Sequence, residues 1–355
     1  MKSLLPLILV PLSTYALFDK AYVGAYVVDI ETACPLAGAG ITARFEDDIG
    51  WRAWTEEAHP DIKKGITDKN GACRLSGRTN CGKCWCWVSE PPIGYYIPHH
   101  GGEITYVGKS FLGVWQPEDT VVTIALQRVE HPIPLFLKRA KLFDRENGIG
   151  GFDGTNAVLK YDLMVGDWLP PHGNGLFADV RMIAHLELGE TVAIGRTHLV
   201  TFYAFSVNIE FDGEGNGLYE KDFKGENFGI KFRVAPDSGY VSGKRIRFGL
   251  EKRIVGPNIS PGYFKESRDD RCYCFRIRSR FDEKGNLVEA YYGKIYDDFK
   301  FEGSNKPGGF MGAEFDYYLN PKSLDRNLEW DMKNNLDPES KKRRPWEPPF
   351  YRMEP

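Results

Sequence analysis

The stretch Val27-Val28-Asp29-Ile30-Glu31-Thr32 leads into Pro35-Leu36-Ala37-Gly38-Ala39-Gly40-Ile41, and this passage decides the fold of the first part of the chain. Residues 17–30 alternate in the manner of a sandwich strand, and the glycines of the second segment permit the positive φ angles of a turn. Ile41-Thr42-Ala43-Arg44-Phe45 then alternates apolar and polar residues, as a half-buried strand does. The passage therefore predicts two β-strands joined by a turn.

Further segments continue the same pattern. Asn70-Gly71, within Thr67-Asp68-Lys69-Asn70-Gly71, favours a tight hairpin turn, and Pro91-Pro92-Ile93-Gly94-Tyr95-Tyr96 is a second turn segment. Cys84–Val88 and Thr120–Leu126 read as strands. In order and spacing, residues 27 to 126 resemble the carboxypeptidase regulatory-like family, whose members are small β-sandwiches related to prealbumin. The resemblance implies a module that supports, positions or binds, and that rarely catalyses.

This sequence departs from the family pattern in two places. The stretch Asp47–Lys64 is long and contains Trp51 and Trp54, and the strand at residues 84–88 is rich in cysteine. Both are local additions to a common scaffold. We therefore expect any special role of this module to lie in one of them.

Length and composition limit the classes of protein. A chain of 355 residues suggests two domains. Hydrophobic residues make up 42% and charged residues 27%, which is ordinary globular composition. The formal net charge of −3 gives no global basic field, so we expect no nucleic-acid partner.

Residues 1–16 have the features of a signal peptide. Lys2 supplies the positive end, Leu4 to Leu12 form a short apolar core, and Thr14 and Ala16 are small residues before a cleavage site. The apolar run is too short for a membrane span, and no later segment is long enough either. We expect a secreted, periplasmic or cell-surface protein without a membrane span.

The rest of the chain divides into three parts. Glu130-His131-Pro132-Ile133-Pro134 reads as a stiff linker, because its prolines fix φ and interrupt strand pairing. Residues 135–335 contain short strand-like segments separated by Gly, Asn and Asp, which favour an antiparallel β-sandwich or a barrel-like domain. Residues 336–355 are charged and rich in proline, so we expect an extended or disordered tail.

The fold class is thus all-β, with a sandwich at 17–129 and a larger β-rich domain at 135–335. The strand-like segments of that domain are Ala193–Ile194, His198–Phe205, Gly229–Val234, Arg245–Leu250, Cys272–Phe281 and Val288–Ile295.

Seven cysteines in an exported chain favour disulfides. Residues two apart on a strand, such as Cys84 and Cys86, are about 6.6 Å apart at Cα with nearly parallel side chains, so each needs a partner on another strand. Cys34 and Cys73 are the plausible partners, and Cys272 and Cys274 pose the same geometry. Buried free thiols and a zinc site that also includes Cys81 are the alternatives.

Two polar segments suggest cations but have simpler interpretations. Asp212-Gly213-Glu214-Gly215-Asn216-Gly217 is similar to the start of a calcium loop, but Phe223 stands where that loop needs a bidentate glutamate. We therefore favour a glycine-rich hairpin there. His99 and His100 would point in opposite directions on a strand, so a polar loop is favoured over a metal site. We expect no metal and no cofactor.

The catalytic signals are weak. No nucleophile elbow, zincin helix or phosphate-binding loop occurs. A glycosidase would need two carboxyl groups about 5–10 Å apart, and the sequence offers candidates without their separation. The candidates are Asp153, Asp162, Asp167, Asp179 and Glu210.

Tryptophans in polar or Gly/Pro-rich contexts could stack on sugar rings. The least usual loop, Asp167-Trp168-Leu169-Pro170-Pro171-His172, carries a ring beside polar groups, and Trp51, Trp54 and Trp115 have similar surroundings. The alternative is that these rings cap the ends of the two cores. The sequence therefore leaves three hypotheses: an exported non-catalytic protein that binds carbohydrate or a surface component, a structural assembly module, and a secreted hydrolase.

Overall fold

The computed structural model of the chain describes residues 19–47, 59–96, 101–111, 113–142, 152–153, 158–194, 198–222, 232–255, 258–268, 271–303 and 310–339. Along these residues, the chain divides into two compact units between Glu130 and His131. The predicted signal peptide, Trp51, Trp54, the pair His99-His100 and residues 340–355 lie outside the described residues. Strands account for the regular structure of both units, which confirms the predicted all-β class.

The first unit is a β-sandwich of two sheets. One sheet has the strand order β4-β1-β9 and the other the order β3-β2-β5-β6, with a small β7-β8 ribbon beside them. Strands β1 and β9 pair in parallel, whereas the other pairs are antiparallel. The strands are β1 (Lys20–Asp29), β2 (Gly40–Phe45), β3 (Asp61–Ile66), β4 (Ala72–Arg78), β5 (Lys83–Glu90), β6 (Gly102–Thr105), β7 (Gly108–Lys109), β8 (Trp115–Gln116) and β9 (Val121–Leu126).

Alternation along the strands builds the core of this sandwich. Val23 and Val27 on β1 face Ile41 and Phe45 on β2, and all four side chains are buried. The turn at Asp68–Gly71 forms as predicted, with the amide of Gly71 donating to the carbonyl of Asp68. The predicted hairpin around it is wrong, because β3 pairs with β2 and β4 pairs with β1. The turn therefore carries the chain from one sheet to the other.

The second unit contains the remaining strands. They are β10 (Ile133–Lys141), β11 (Phe152–Asp153), β12 (Val158–Asp162), β13 (Asp167–Trp168), β14 (Val180–Ile194), β15 (His198–Glu210), β16 (Gly217–Asp222), β17 (Gly243–Val255), β18 (Asn258–Lys265), β19 (Arg271–Phe281), β20 (Leu287–Gly303), β21 (Phe310–Asn320) and β22 (Trp330–Asn335).

These strands form two open sheets that enclose one aromatic core. A seven-stranded sheet has the order β16-β19-β20-β21-β10-β22, with β11 paired to β21, and a six-stranded sheet has the order β13-β12-β14-β15-β17-β18. The rings of Phe205 and Phe248 stack with centroids 5.0 Å apart, and Tyr161 meets Phe315 edge-on at 5.5 Å. The sandwich alternative is thus the one adopted. The predicted hairpin turn Asp282–Asn286 joins β19 to β20 as expected.

Three local expectations for this unit differ from the structure. The predicted linker ends early, because β10 begins at Ile133 and pairs with β22, and Pro134 lies at the register shift between Ile133 and Leu135. Proline is tolerated there because a bulge needs no ladder hydrogen bond from it. In the segment Gly229–Val234, residues 232–234 contain an isolated bridge to Asn327 rather than a strand.

The third difference concerns the loop at residues 212–217. It joins β15, which pairs with β14 and β17, to β16, which pairs with β19 in the other sheet. It is therefore a crossover between sheets and not a hairpin. Asn216 fastens it, since its Nδ2 donates to the carbonyl of Asp212 at 2.5 Å and its Oδ1 accepts from the amide of Ser279 at 2.9 Å.

Candidate functional site

Trp168, the ring chosen from sequence as a sugar platform, belongs to the core of the second unit. It is 4% exposed, and its ring lies edge-on to Tyr161 with centroids 4.8 Å apart. Its indole Nε1 donates to the carbonyl of Lys141 at 3.3 Å. A ring that is this deeply buried has no free face on which a pyranose could stack. Trp168 therefore belongs to the core, as the alternative interpretation from sequence has it.

Trp115 in the first unit is also engaged by its neighbours. Its Nε1 donates to the carbonyl of Thr79 at 2.7 Å, and the Nζ of Lys109 lies 4.5 Å from its ring. Tyr106 packs against the same ring, with centroids 6.4 Å apart. These contacts give Trp115 a structural role at the end of the first core.

The loop between Trp168 and Val180 is held by carboxylates. Asp167 accepts from the amides of Trp168 at 2.8 Å and Asn174 at 2.9 Å. Asp162 accepts from four backbone amides, and Asp179 accepts from the amide of Leu163 at 2.9 Å. His172 is exposed in this loop, and its amide donates to the carbonyl of Leu169. The four amides bound by Asp162, each at 3.0 Å, are those of Met164, Val165, Leu176 and Phe177.

One arginine completes this cluster. Arg278 on β19 donates from Nη2 to Asp162 at 2.7 Å and to Asp179 at 3.0 Å, and its Nε donates to Asp179 at 2.9 Å. Burial opposes ionisation of Asp162, but the amides and Arg278 outweigh it, so its pKa lies below the usual range. At Asp179 burial dominates and raises the pKa, although Arg278 opposes that rise. The oxygens that a glycosidase would present to substrate are thus engaged in fixing a loop.

The other carboxylates singled out from sequence do not join this cluster. Glu210 lies on β15 and pairs with Arg181 at 2.9 Å, and the same guanidinium contacts Asp212 at 3.0 Å. Asp153 lies on β11, which pairs with β21. Among the described residues, no group of three or more His, Cys, Asp or Glu side chains could hold a metal ion.

The seven cysteines, all within described strands and turns, carry free thiols. None of the disulfides expected from sequence is formed, and the five cysteines on strands have other residues opposite them in their sheets. On the neighbouring strand β2, Phe45 lies opposite Cys84 and Ala43 lies opposite Cys86, and on β1 Ala25 lies opposite Cys73. Cys272 and Cys274 face Tyr296 and Lys294. Burial raises the pKa of Cys84 and of Cys86 to about 12, and Cys34 is exposed.

A surface that the sequence did not single out lies on the six-stranded sheet. Pairing between β15 and β17 ends at Tyr203 and Leu250, whereas the hairpins β14–β15 and β17–β18 both continue. We call the continuing parts, residues 188–203 and 250–263, the two arms. The Nζ of Lys252 on one arm lies 2.8 Å from Oε1 of Glu190 on the other.

The arms carry exposed apolar side chains on one face. The register places Leu188, Tyr203, Leu250 and Tyr263 in one row across four strands. Phe205 and Phe248, two residues from this row along their strands, are buried in the core, so the row continues the core-facing side of the sheet. Exposed fractions on this face are 62% for Leu188, 76% for Leu199, 78% for Ile254 and 78% for Tyr263.

We call this surface the apolar face. Beyond the core, the core-facing positions are Tyr203, Thr201 and Leu199 on β15 and Leu250, Lys252 and Ile254 on β17. A polar row with Thr201 and Lys252 thus interrupts the apolar face, so its alternation is weaker than that of the core. Its sequence signal is the length of the strands, since β14 has 15 residues and β15 and β17 have 13 each. A strand of that length exceeds the usual size of about 5–6 residues.

The described residues contain no helix with the length and apolarity needed to cross a membrane. A scan against protein-family models finds no match, and neither does a search of curated proteins. The resemblance of the first unit to the carboxypeptidase regulatory-like family therefore stays a prediction, while its β-sandwich fold is observed.

Solved structures give matches among Gram-positive pilins. The chain is 13% identical to a streptococcal ancillary pilin, with 71% of this chain and 60% of that chain covered and a TM-score of 0.22. It is 22% identical to GBS52, the minor pilin of Streptococcus agalactiae, with 33% and 48% covered and a TM-score of 0.22. The shaft pilin SpaA from Lactobacillus rhamnosus GG is 12% identical, with 56% and 89% covered and a TM-score of 0.21. The chain thus spans less than two thirds of either streptococcal pilin, and similarity at these TM-scores assigns no function to it.

Proposed function

We propose that this chain is an exported, non-catalytic surface protein with a structural role, and that it assembles with a second copy through the apolar face. The observation that carries the proposal is the row Leu188–Tyr203–Leu250–Tyr263, which extends the inner side of a sandwich sheet beyond its core. An apolar surface of this kind marks an interaction site in a soluble protein. Export rests on the predicted signal peptide at residues 1–16.

A second copy is the partner that the geometry favours. Two identical twisted sheets present the same spacing of side chains, so their faces can pack as the two layers of a sandwich do. Four strands about 4.8 Å apart and six residues of about 3.3 Å each set an upper bound of about 400 Å² per copy, because pairing between β15 and β17 ends at Tyr203 and Leu250. A pair of copies would bury at most about 800 Å², which is the size of a weak and reversible interface.

The contacts of the other candidate residues support a structural role over the alternatives. Trp168 and Trp115, proposed from sequence to bind carbohydrate, pack against protein groups. Asp162 and Asp179, two of the five candidate carboxylates, hold a loop through backbone amides and Arg278. These contacts favour the structural role, while Trp51 and Trp54, the other tryptophans chosen with them, lie outside the described residues.

Sedimentation velocity over a wide range of protein concentration tests the proposal. We expect a reversible monomer–dimer equilibrium that Leu188→Asp and Tyr263→Asp each shift toward monomer. Val107→Asp, at an exposed valine of the first unit, is the matched control and should leave the equilibrium unchanged. A parent chain that stays monomeric at the highest concentration, or Asp variants that associate like the parent, would refute the assembly through this face.

A further inference from the structure

A trough lies on the opposite side of the same sheet from the apolar face. It has a volume of about 500 Å³, and its floor is made by Phe202, Ala204 and Phe264. These residues alternate with those of the apolar row along β15 and β18, so they point away from the core. The lining also includes Leu188, Tyr203 and Leu250 of the apolar row, so the trough adjoins the apolar face, although its floor lies on the other side of the sheet.

The rim of the trough is acidic. Its lining contains three glutamates, Glu187, Glu251 and Glu266, and one arginine, Arg247, which gives a formal net charge of −2. The guanidinium of Arg247 lies 5.8 Å from the ring of Phe264. Glu251 pairs with Arg253 at 3.0 Å, and Glu266 accepts from the amide of Arg247 at 2.9 Å. Glu187 is exposed and makes no ion pair with a described residue.

This chain contains a segment of complementary chemistry. Lys341-Lys342-Arg343-Arg344-Pro345-Trp346 places four consecutive cations before an aromatic residue. Cations pair with rim carboxylates, and arginine or tryptophan stacks on phenylalanine rings of a floor such as this one. The segment follows Glu339, where the described part of the chain ends.

The reach of the chain favours the trough of a neighbouring copy over its own. Residues 336–337 run beside β10, where the amide of Leu336 donates to the carbonyl of Leu135 and Asp337 lies 3.6 Å from Lys138. That strand belongs to the seven-stranded sheet, whereas the trough lies on the far side of the six-stranded one. The indole Nε1 of Trp168 on β13 donates to the carbonyl of Lys141 at the end of β10, so β10 lies across from the β13 edge of the six-stranded sheet. Sheets pack about 10 Å apart, and the two to three strand spacings from β13 to β14 and β15 add about 10–14 Å sideways. Two to five extended residues beyond Glu339 span only about 7–18 Å.

We propose that residues 341–346 of one copy bind in the acidic trough of the next. This contact joins two different surfaces, so it can repeat and extend a row of copies. The inference deepens the proposed structural role, and it needs no association through the apolar face. Its electrostatic part should weaken with salt.

A peptide of residues 340–355, labelled with a fluorophore and titrated with a chain that ends at Glu339, measures this contact directly. That chain also carries Ile254→Asp, which lies on the apolar face but outside the lining of the trough, so that association through the apolar face cannot contribute. We expect saturable binding that Glu187→Lys weakens at least 10-fold and that high salt also weakens. Glu283→Lys, at an exposed glutamate of the turn between β19 and β20, is the matched charge control and should bind the peptide unchanged.

Equal binding by the Glu187→Lys and Glu283→Lys chains, or no binding by the parent, would overturn the trough as the site. Carbodiimide coupling in a mixture of ¹⁴N- and ¹⁵N-labelled full-length chains then tests the neighbouring copy. Cross-links from Lys341 or Lys342 to Glu187, Glu251 or Glu266 should join light and heavy chains. Cross-links found only within one isotope would show that the segment folds back on its own chain, against the proposal. A chain that ends at Glu339, keeps Ile254, binds the peptide and stays monomeric would sink the apolar-face assembly alone.

Discussion

Arg278 and Asp162 lie 116 residues apart in the sequence, and Nη2 of Arg278 donates a 2.7 Å hydrogen bond to Oδ1 of Asp162. The same guanidinium binds Asp179 through two further hydrogen bonds. One cation from the seven-stranded sheet thus compensates two buried carboxylates of the six-stranded one.

Removing this cation should destabilise the second unit. Arg278→Met leaves both carboxylates buried without their cationic partner, which should lower the free energy of unfolding by about 3 kcal/mol. This value is at the lower end for a broken buried ion pair because the Arg278 side chain is 29% exposed. Calorimetric unfolding measures the loss. Arg280→Met, which removes an exposed pair with Glu289, is the control and should change stability by less than about 0.5 kcal/mol. Equal losses in the two variants would contradict a compensating role for Arg278.

Trp168→Ala should destabilise the chain by about 3–5 kcal/mol, because it removes a buried ring that packs on Tyr161. Trp85→Ala, at a half-exposed ring on β5, should cost much less. Chemical denaturation of both variants gives the comparison. If Trp168→Ala were as stable as the parent chain, the ring could not be part of the core.

Acid should weaken the first unit through Asp29. Burial opposes ionisation of Asp29, but the Tyr95 hydroxyl, the amides of Thr32 and Glu31, and Arg128 outweigh it, so its pKa lies below the usual value. A folded-state pKa below the unfolded one gives stability that is present above about pH 4 and is lost as pH falls toward the folded value. Thermal unfolding from pH 6 to pH 2 should therefore fall more steeply for the parent than for Asp29→Asn.

The control for that titration is Asp119→Asn, at an exposed carboxyl of the same unit. It should follow the pH profile of the parent chain. An Asp29→Asn profile as steep as the parent profile would show that other groups govern the acid sensitivity.

Alkylation of the native chain should label Cys34 first. Its side chain is exposed, whereas Cys84, Cys86 and Cys274 are buried and burial raises the pKa of each thiol, which keeps the reactive thiolate scarce. Mass spectrometry after a short pulse of iodoacetamide reads the order. Labelling of the three buried thiols should require denaturant. Failure of any cysteine to react in denaturant would instead reveal a disulfide.

The sequence predicted the fold class because local signals mark strands and turns. Ile41–Phe45 alternates as β2 does, and Asp282–Asn286 supplies the turn between β19 and β20. It could not show which strands a turn connects. The turns at Asp68–Gly71 and Asp212–Gly217 both looked like hairpins, but they cross between sheets, and that choice is made by long-range pairing.

The candidate site was predicted less well for a physical reason. A tryptophan beside prolines suggests an exposed loop, yet Trp168 turns inward because Tyr161, opposite it on β12, gives it a partner ring. Asp162 and Asp179 were recognised as carboxylates of interest, but their partner Arg278 lies on a strand about 100 residues later in the chain. Only the folded arrangement shows that these groups neutralise one another.

The pairing of β1 with β9, and of β10 with β22, has a consequence for the order of folding. In each unit the first strand pairs in parallel with the last, and the amide of His131 bonds to Glu329 across 198 residues. During synthesis, β10 must wait without its partner on that side until β22 has been made. The first unit, by contrast, can close as soon as Leu126 is available. In each unit, the last strand thus completes the pairing of the first. A chain shortened before β22 would leave one edge of β10 unpaired and open to pairing with other chains.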